Sequence, residues 1–546
     1  MTDEGGDPVV GATVLVEGTT LGTQTDIDGH FRIANVPSSA QTLRVSYVGM
    51  TSQTVKIVPG EIKVVLGTDS EMLDEVVVTA MGISRSEKSL GYSATQVGAA
   101  EIEKSQTNNV MAALQGKVAG LQVQTTSNEP GSANNVNIRG LGSISGNNQP
   151  LYVVDGVPLA STTLYTGGRA VAAGGVNNIA PDDIASLTVL KGAAATALYG
   201  SRASNGVIII TTKSGSGKDG KNFEITYSGN VEAARVAYIP EAQNRYGQGW
   251  NGNQTYIENG SWGPEMNGST QIYGPIWNGQ QLIHQYSPVE NAVRDFFDTG
   301  ISQSHNVAIS GRSKDETMTY YASYSFTNSD GIMPTDIDSY RRNTIATRGS
   351  YQPVKWLKIS TSMNLATTRT KVSSLTDGNV TGALYEHPRD IPMQWYRHNT
   401  NSPFGSPEAY YTPYDFTNPY WYIENRKNET NSKQVFGKAQ VDIFPTKGLT
   451  LTYRFGFDYS DYDYKNALPQ IQLDDALIDS NYDQQPSGMN TEGSISTQYG
   501  RSYEINNDFL ANYTRKFLDD RLDLAATVGV NINERGSNYM YGTTQN

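Results

Sequence analysis

Leu449-Thr-Leu-Thr-Tyr-Arg-Phe-Gly-Phe-Asp-Tyr-Ser460 alternates without a break: Leu449, Leu451, Tyr453, Phe455, Phe457 and Tyr459 fall on one parity, Thr450, Thr452, Arg454, Asp458 and Ser460 on the other. A β-strand turns successive side chains to opposite faces, so a period of two makes one face apolar and one polar. The run 317–327 repeats it, with Met318, Tyr320, Ala322, Tyr324 and Phe326 against Thr317, Thr319, Tyr321, Ser323, Ser325 and Thr327. In 522–533, Leu522, Leu524, Ala526, Val528, Val530 and Ile532 form the apolar set. A water-soluble sandwich gives the same alternation. The connections must arbitrate.

Working outward from these runs, nine strands are expected at about 222–235, 301–312, 316–328, 341–352, 356–369, 434–445, 449–464, 495–517 and 521–535. Their connections alternate. Those at 236–300, 329–340, 370–433 and 465–494 are long, whereas Ser313-Lys314-Asp315, Pro353-Val354, Thr446-Lys447-Gly448 and Leu518-Asp519-Asp520 are tight turns. Bacterial outer-membrane barrels sort their loops this way, with short turns periplasmic and long loops outside. Residues 216–546 are therefore expected to be the first part, about nine strands, of an antiparallel transmembrane β-barrel. Single-chain barrels of this type are even-numbered, so nine strands read as an incomplete barrel, and the chain as cut at both ends.

Composition narrows the field. The 546 residues carry a net charge of −13, no Cys, 54 Gly, 33 Tyr and 6 Trp. At ~150 residues per domain, three or four units are expected. An acidic chain offers little to neutralise phosphates, so nucleic acid is excluded as a partner. Cys-ligated metal is excluded outright. The mean hydropathy is −0.46, and Val207-Ile208-Ile209-Ile210 is far shorter than a spanning helix requires. Barrel strands, which alternate, escape that test.

The first residues show no export signal, and 9–66 gives short alternating runs (Val14, Val16; Phe31, Ile33; Leu43, Val45, Tyr47; Ile62, Val64, Leu66) broken by turn residues. Residues 1–69 are thus expected to be a β-sandwich. The stretch from Pro8 to Ile33 resembles the carboxypeptidase-regulatory-like domain. No enzyme is expected. His30, His284, His305, His387 and His398 are scattered, with no H-E-x-x-H, and neither a G-x-S-x-G elbow nor a P-loop is present. No catalytic residue, metal ligand or cofactor is assigned.

Residues 70–88 form a linker carrying Asp74-Glu75-Val76-Val77-Val78-Thr79-Ala80, followed by Met81-Gly82. Three valines on an acidic linker are either the last strand of the sandwich or a strand offered to a partner's sheet edge. The segment resembles the TonB box of outer-membrane active transporters. The residues after it are similar to the plug domain of those transporters, of SusC/RagA type, in Leu114–Val123, Val136–Ser143, Pro150–Pro158 and Ile179–Ile210. Residues 89–215 read as an α/β plug: Val110, Met111, Leu114 and Val118 recur at helical spacing, Ala193–Leu198 suggests a second helix, and Val153-Val154, Leu187–Leu190 and Val207–Ile210 are strands, with a tight turn at Asp155-Gly156. Arg139, Lys191 and Arg202 are candidates for contacts with the barrel wall. The whole fold is expected to be mostly β.

The long loops hold five of the six tryptophans: Trp250, Trp262, Trp277, Trp395 and Trp421. Trp356, which comes after a tight turn, suits the membrane interface. Rings beside amides suit sugar binding or a partner's interface. The resemblance implies an outer-membrane protein with a periplasmic N-terminal domain. It imports a nutrient when TonB pulls on 74–80, under a surface lipoprotein of SusD type, with no cofactor. The cargo favoured is an oligosaccharide, with oligopeptides and a chelated metal or cobalamin as alternatives. A passive structural or adhesive barrel is the rival of another class.

Overall fold

The computed structural model describes the chain except at 4–6, 18, 20, 38–39, 48–49, 59, 67–75, 79–83, 87–93, 106, 145–147, 161–162, 167–168, 173–174, 193–198, 216–221, 256–259, 278–279, 374–377, 398–417, 472–490, 518–521 and 546. The chain divides into two units, one of 1–77 with 84–91 and one holding the rest.

In the larger unit the nine expected strands form one antiparallel sheet in chain order: β1 (Phe223–Ala234), β2 (Gly300–Arg312), β3 (Met318–Asp330), β4 (Ser339–Val354), β5 (Leu357–Lys371), β6 (Lys427–Thr446), β7 (Leu449–Ile471), β8 (Thr491–Phe517) and β9 (Leu522–Gln545). The later strands outrun their expected ends. β6 begins at Lys427 because Lys427 to Lys433 find partners on β7 between Asp461 and Ala467, and β9 continues to Gln545 alongside β8. Strands of 20 to 27 residues exceed the ~10 needed to cross a bilayer and so project beyond it.

Burial is inverted relative to a soluble protein. On β3 the buried positions are Tyr321, Ser323, Ser325, Thr327 and Ser329, whereas Met318 and Tyr324 are 44% and 48% exposed. On β7, Thr452, Arg454, Asp458 and Ser460 are buried and Leu451, Tyr453 and Tyr459 exposed. Water would bury the apolar set. A sheet that buries hydroxyls and charges while turning Leu, Tyr and Val outward is built for lipid outside and a polar interior. β9, at the sheet's edge, leaves Leu522, Leu524, Val528, Val530 and Ile532 exposed on the same outward parity.

Against the polar face lies a five-stranded mixed sheet in the order 157–158, 151–154, 207–212, 184–190, 94–98. Its central strand, Val207–Thr212, runs parallel to Leu151–Val154 and antiparallel to Ile184–Leu190, and is buried on both faces from Val207 to Ile210. Val110, Met111, Leu114 and Val118 are all buried in its core, but the expected helix there is a 3-10 turn of three residues, Ala112–Leu114. Gly116 and Gly120, at φ +74° and +75°, break the helical path. Among the described residues of the plug, an α-helix lies earlier, at Ala99–Lys104. The expected helix at 193–198 falls outside the described residues.

The smaller unit holds a four-stranded antiparallel sheet, in the order 22–24, 13–16, 42–47, 50–56, and a parallel pair of Thr2–Asp3 with Val65–Leu66. Val14, Val16, Leu43, Val45, Val64 and Leu66 make its core. Phe31 and Ile33 do not form the expected strand. They pack against that core from an irregular segment, their backbone held away from the sheet.

Candidate functional site

The plug meets the wall through polar groups, and a tight turn is one point of contact. Asp155 and Gly156 have φ of +50° and +89°, the two positive values that a hairpin between Val154 and Val157 requires. The Asp155 carboxylate locks the turn by accepting from Thr212 N at 3.0 Å and Thr212 Oγ1 at 2.6 Å. Its carbonyl then accepts from Lys438 Nζ at 2.9 Å, and that of Gly156 from Arg454 Nη1 at 3.3 Å. A Cβ on Gly156 would come within 2.3 Å of Arg454 Nη1, so glycine admits the guanidinium. Gly456 on the wall likewise makes room for Val157.

Further along the chain the contacts continue. Asp458 Oδ2 accepts from Ala160 N at 2.9 Å, and its Oδ1 from Gln434 Nε2 at 2.8 Å. Gln434 Oε1 accepts from Gly175 N at 3.0 Å and Asn178 Nδ2 at 2.8 Å. Asp183, 2% exposed, accepts from Tyr321 Oη at 2.7 Å and Ser323 Oγ at 2.9 Å, and Asp182 from Ser228 Oγ at 2.7 Å. Arg342 donates to Asn177 O at 2.6 Å. Each such bond is worth ~0.5–1.5 kcal/mol net where both partners are neutral and ~1.5–3 kcal/mol where one is charged, because the unfolded groups bond to water instead. The plug is thus held by many separate polar bonds. Phe436 alone among wall residues joins its apolar core in the described residues.

Of the three cations expected at the wall, the geometry sets Arg202 there: Nη1 and Nη2 donate to Glu504 Oε1 at 2.6 Å and Oε2 at 3.0 Å. Lys191 turns to Thr95 Oγ1 within the plug at 3.2 Å. Arg139 is exposed beside Gly192 of the plug. Sequence reasoning missed Lys438, Arg454, Asp458, Gln434, Glu504 and Asp183. The signal was present for two of them, since Arg454 and Asp458 lie on the polar parity of β7, where an ion unmatched by the membrane needs an internal partner.

Val76–Val78 form a short strand outside the four-stranded sheet, paired instead with Ser84–Ser86. Asp74, Glu75, Thr79 and Ala80 fall outside the described residues. Sixteen residues after Val78, the chain enters the plug as Ala94–Gly98, the edge strand of its sheet.

The long connections pack on one another. Phe296, Met333, Ile337, Val380, Leu384, Met393, Tyr396, Tyr420 and Ile423 form an apolar core drawn from three of them. The first also contains a hairpin, Thr270–Trp277 with Gln280–Gln285. His284 Nε2 lies 2.8 Å from Asp390 Oδ2, whose Oδ1 accepts from Gln248 N at 2.8 Å, tying the first long loop to the third. His387, buried, has a ring nitrogen 2.7 Å from Ile391 O, and burial pushes its pKa down to about 4. The tryptophans divide accordingly. Trp250 and Trp262 are 53% and 70% exposed. Trp395 is half-buried against the loop core, edge-on to His284 at 6.4 Å between centroids. Trp421 is half-buried on the helix Pro419–Asn425, whose first amides are capped by Asn418. Trp277 pairs with Gln280 through its backbone, and its side chain lies outside the described residues.

A family profile described as CarboxypepD_reg-like domain matches residues 1–78, and one described as TonB-dependent Receptor Plug Domain matches 86–207. The chain is 31% identical over 454 residues to TonB-dependent receptor SusC of Bacteroides thetaiotaomicron, an alignment covering 81% of this chain and 42% of that protein. It is 27% identical over 527 residues to TonB-dependent receptor P39 of Formosa agariphila, covering 94% and 44%. These relatives are receptors rather than enzymes. The fold is similar to that of the RagAB peptide importer in its closed-closed state, at a TM-score of 0.57 and 20% identity over 84% of this chain and 49% of that one. The chain therefore spans less than half the length of the curated relatives it matches.

Proposed function

Because the chain belongs to the SusC/RagA type of TonB-dependent receptors, which are outer-membrane β-barrel proteins with the plug inside the barrel, we propose that it serves the TonB-driven import of a nutrient, an oligosaccharide, across that membrane. The observation that carries the reading is the place of Ala94–Gly98, sixteen residues along the chain from the valine strand, at the edge of the plug sheet. The segment 74–80, proposed as the TonB-binding strand, precedes in sequence the edge strand Ala94–Gly98 of a plug fastened to the wall by hydrogen bonds. An edge strand has one neighbour, here Ile184–Leu190, and can be drawn off without first breaking the rest. The pulling energy comes from the partner, so the chain itself needs no reaction chemistry. A surface lipoprotein of SusD type is the proposed lid over the long loops.

Exposed Trp250 and Trp262, beside loop amides, support a glycan, since an indole offers a flat apolar face to a sugar ring. Peptide cargo is the second reading, favoured by the fold's likeness to a peptide importer. The coupling proposal is tested by Val77→Pro in the full-length protein. Proline cannot donate to a main-chain ladder. Uptake is expected to be lost with cargo binding unchanged, while Val77→Thr stays active. Normal uptake by the proline variant would rule out 74–80 as the coupling strand.

A further inference from the structure

Above the plug contacts, β7, β8 and β9 present their inward residues as a ladder of cross-strand rungs. Asp458, Glu504 and Arg535 form the lowest. Ser460, Ser502 and Ser537 come next, then Tyr462, Gly500 and Tyr539, then Tyr464, Gln498 and Tyr541. Rungs on one face lie about 7 Å apart, two residues along the strand. The ladder runs away from the tight Thr446–Leu449 turn, on the long-loop side of Ala160, where the plug meets Asp458. A cavity of about 730 Å³ opens between this wall and the plug, lined among others by Tyr462, Tyr539, Ser502, Ser537, Arg535 and Arg202.

The chemistry of the wall is specific. Gly500 is what lets the tyrosines lie as they do, because a Cβ there would come within 2.3 Å of Tyr462 Cζ. The Tyr462 ring thus covers the glycine, with its hydroxyl accepting from Gln498 Nε2 at 3.0 Å, and Tyr539 stands next to it, 73% exposed. Serine hydroxyls lie one rung below, Ser460 and Ser502 at 2.8 Å from one another. Of the charged residues that line the cavity, Arg202 and Glu504 are paired at 2.6 Å and Arg535 stands opposite Glu504 in register, while Arg501 lies on the other parity of β8. The three rungs above Asp458, Glu504 and Arg535 carry no charged side chain, only ring faces, hydroxyls and an amide. Those rungs match a neutral, polyhydroxylated ligand whose apolar ring face rests on a tyrosine while its hydroxyls exchange bonds with serine and amide groups.

We propose that the Tyr462–Gly500–Tyr539 rung, with the serine rung below it, is a binding subsite for a neutral sugar ring inside the barrel, a ligand there touching the wall and the plug at once. The proposal rests on the glycan reading of import. It places the decisive aromatic contacts on barrel tyrosines rather than loop tryptophans.

The test uses the full-length protein with its lid in detergent. It is titrated with three pools: neutral oligosaccharides from hydrolysed starch, laminarin and xylan; oligogalacturonates; and mixed hexapeptides. The expected result is that a neutral oligosaccharide binds, that Tyr539→Ala weakens it at least tenfold, and that Tyr539→Phe stays within threefold of wild type. Tyr539 is exposed, so its truncation leaves no cavity, and unchanged heat-modifiable gel mobility checks the barrel. If neutral sugar binds equally well to wild type, Tyr539→Ala and Tyr462→Ala, the subsite is wrong and the glycan reading stands. Binding of hexapeptides or oligogalacturonates without neutral sugar overturns both the subsite and the glycan reading. Binding of none of the pools by wild type overturns the subsite.

Discussion

Removing Arg202 should loosen the plug by a calculable amount. In the native structure its guanidinium makes two bonds to Glu504, whose side chain is 1% exposed, while Arg202 itself is 26% exposed. Arg202→Met strands the carboxylate with one remaining donor, Asn533 Nδ2 at 2.8 Å. Breaking a fully buried pair costs ~3–5 kcal/mol. Here the arginine borders a cavity that admits water, and screening discounts the cost to about 2–3 kcal/mol. At about 1.4 kcal/mol per factor of ten, plug opening should become roughly 30–150 times more frequent. Hydrogen exchange measured by mass spectrometry reads this directly, as faster exchange of the amides in Gly200–Ala203 and Val207–Thr212. Glu504→Gln should have a smaller effect, since an amide oxygen still accepts. Arg202→Met with Glu504→Leu should fall back toward wild type, because no buried charge is left. A change below threefold in Arg202→Met would refute the idea that this pair fastens the plug.

Three more outcomes are expected of the same structure. Tyr324→Arg, on the lipid face of β3, should cost about 2–4 kcal/mol in refolding into lipid vesicles, whereas Ser325→Asn, on the buried polar face, should cost about 1 kcal/mol; equal costs would dismiss the inverted pattern. His387 is held neutral with a pKa of about 4, below the ordinary 6.5, so the unfolded loop takes up its proton first. Loop stability should therefore fall as pH drops from about 6.5 towards 4, by on the order of 3 kcal/mol over the whole window; limited proteolysis from pH 7.5 to 5 should show increasing loop cleavage, and His387→Asn should flatten that trend. Trp395→Ala should open the loop core to proteolysis, because the ring packs there, while Trp262→Ala, 70% exposed, should leave cleavage unchanged.

Period-two alternation, read with loop length, was enough to place all nine strands, because a strand's two faces meet two different solvents and each residue's chemistry declares its side. The plug and the N-terminal domain were legible through their resemblance to known families, and the turn at Asp155-Gly156 because Asp-Gly favours positive φ. Local signals failed where a partner lies far along the chain. Val110 to Val118 have helical spacing, but two glycines and a sheet core shape them into a 3-10 turn, and Phe31 and Ile33 bury themselves without joining a strand. Trp395 reads like Trp262 in a loop, yet one packs and the other is exposed, because the core beneath Trp395 is assembled from segments over a hundred residues apart, with Phe296 and Tyr420 in ring contact. The pairing of Arg202 with Glu504, of Asp183 with Tyr321 and of Tyr462 with Gly500 depends on sheet register and on the depth at which the plug sits. Alternation fixes which side a residue faces. Only the tertiary structure decides what stands opposite it.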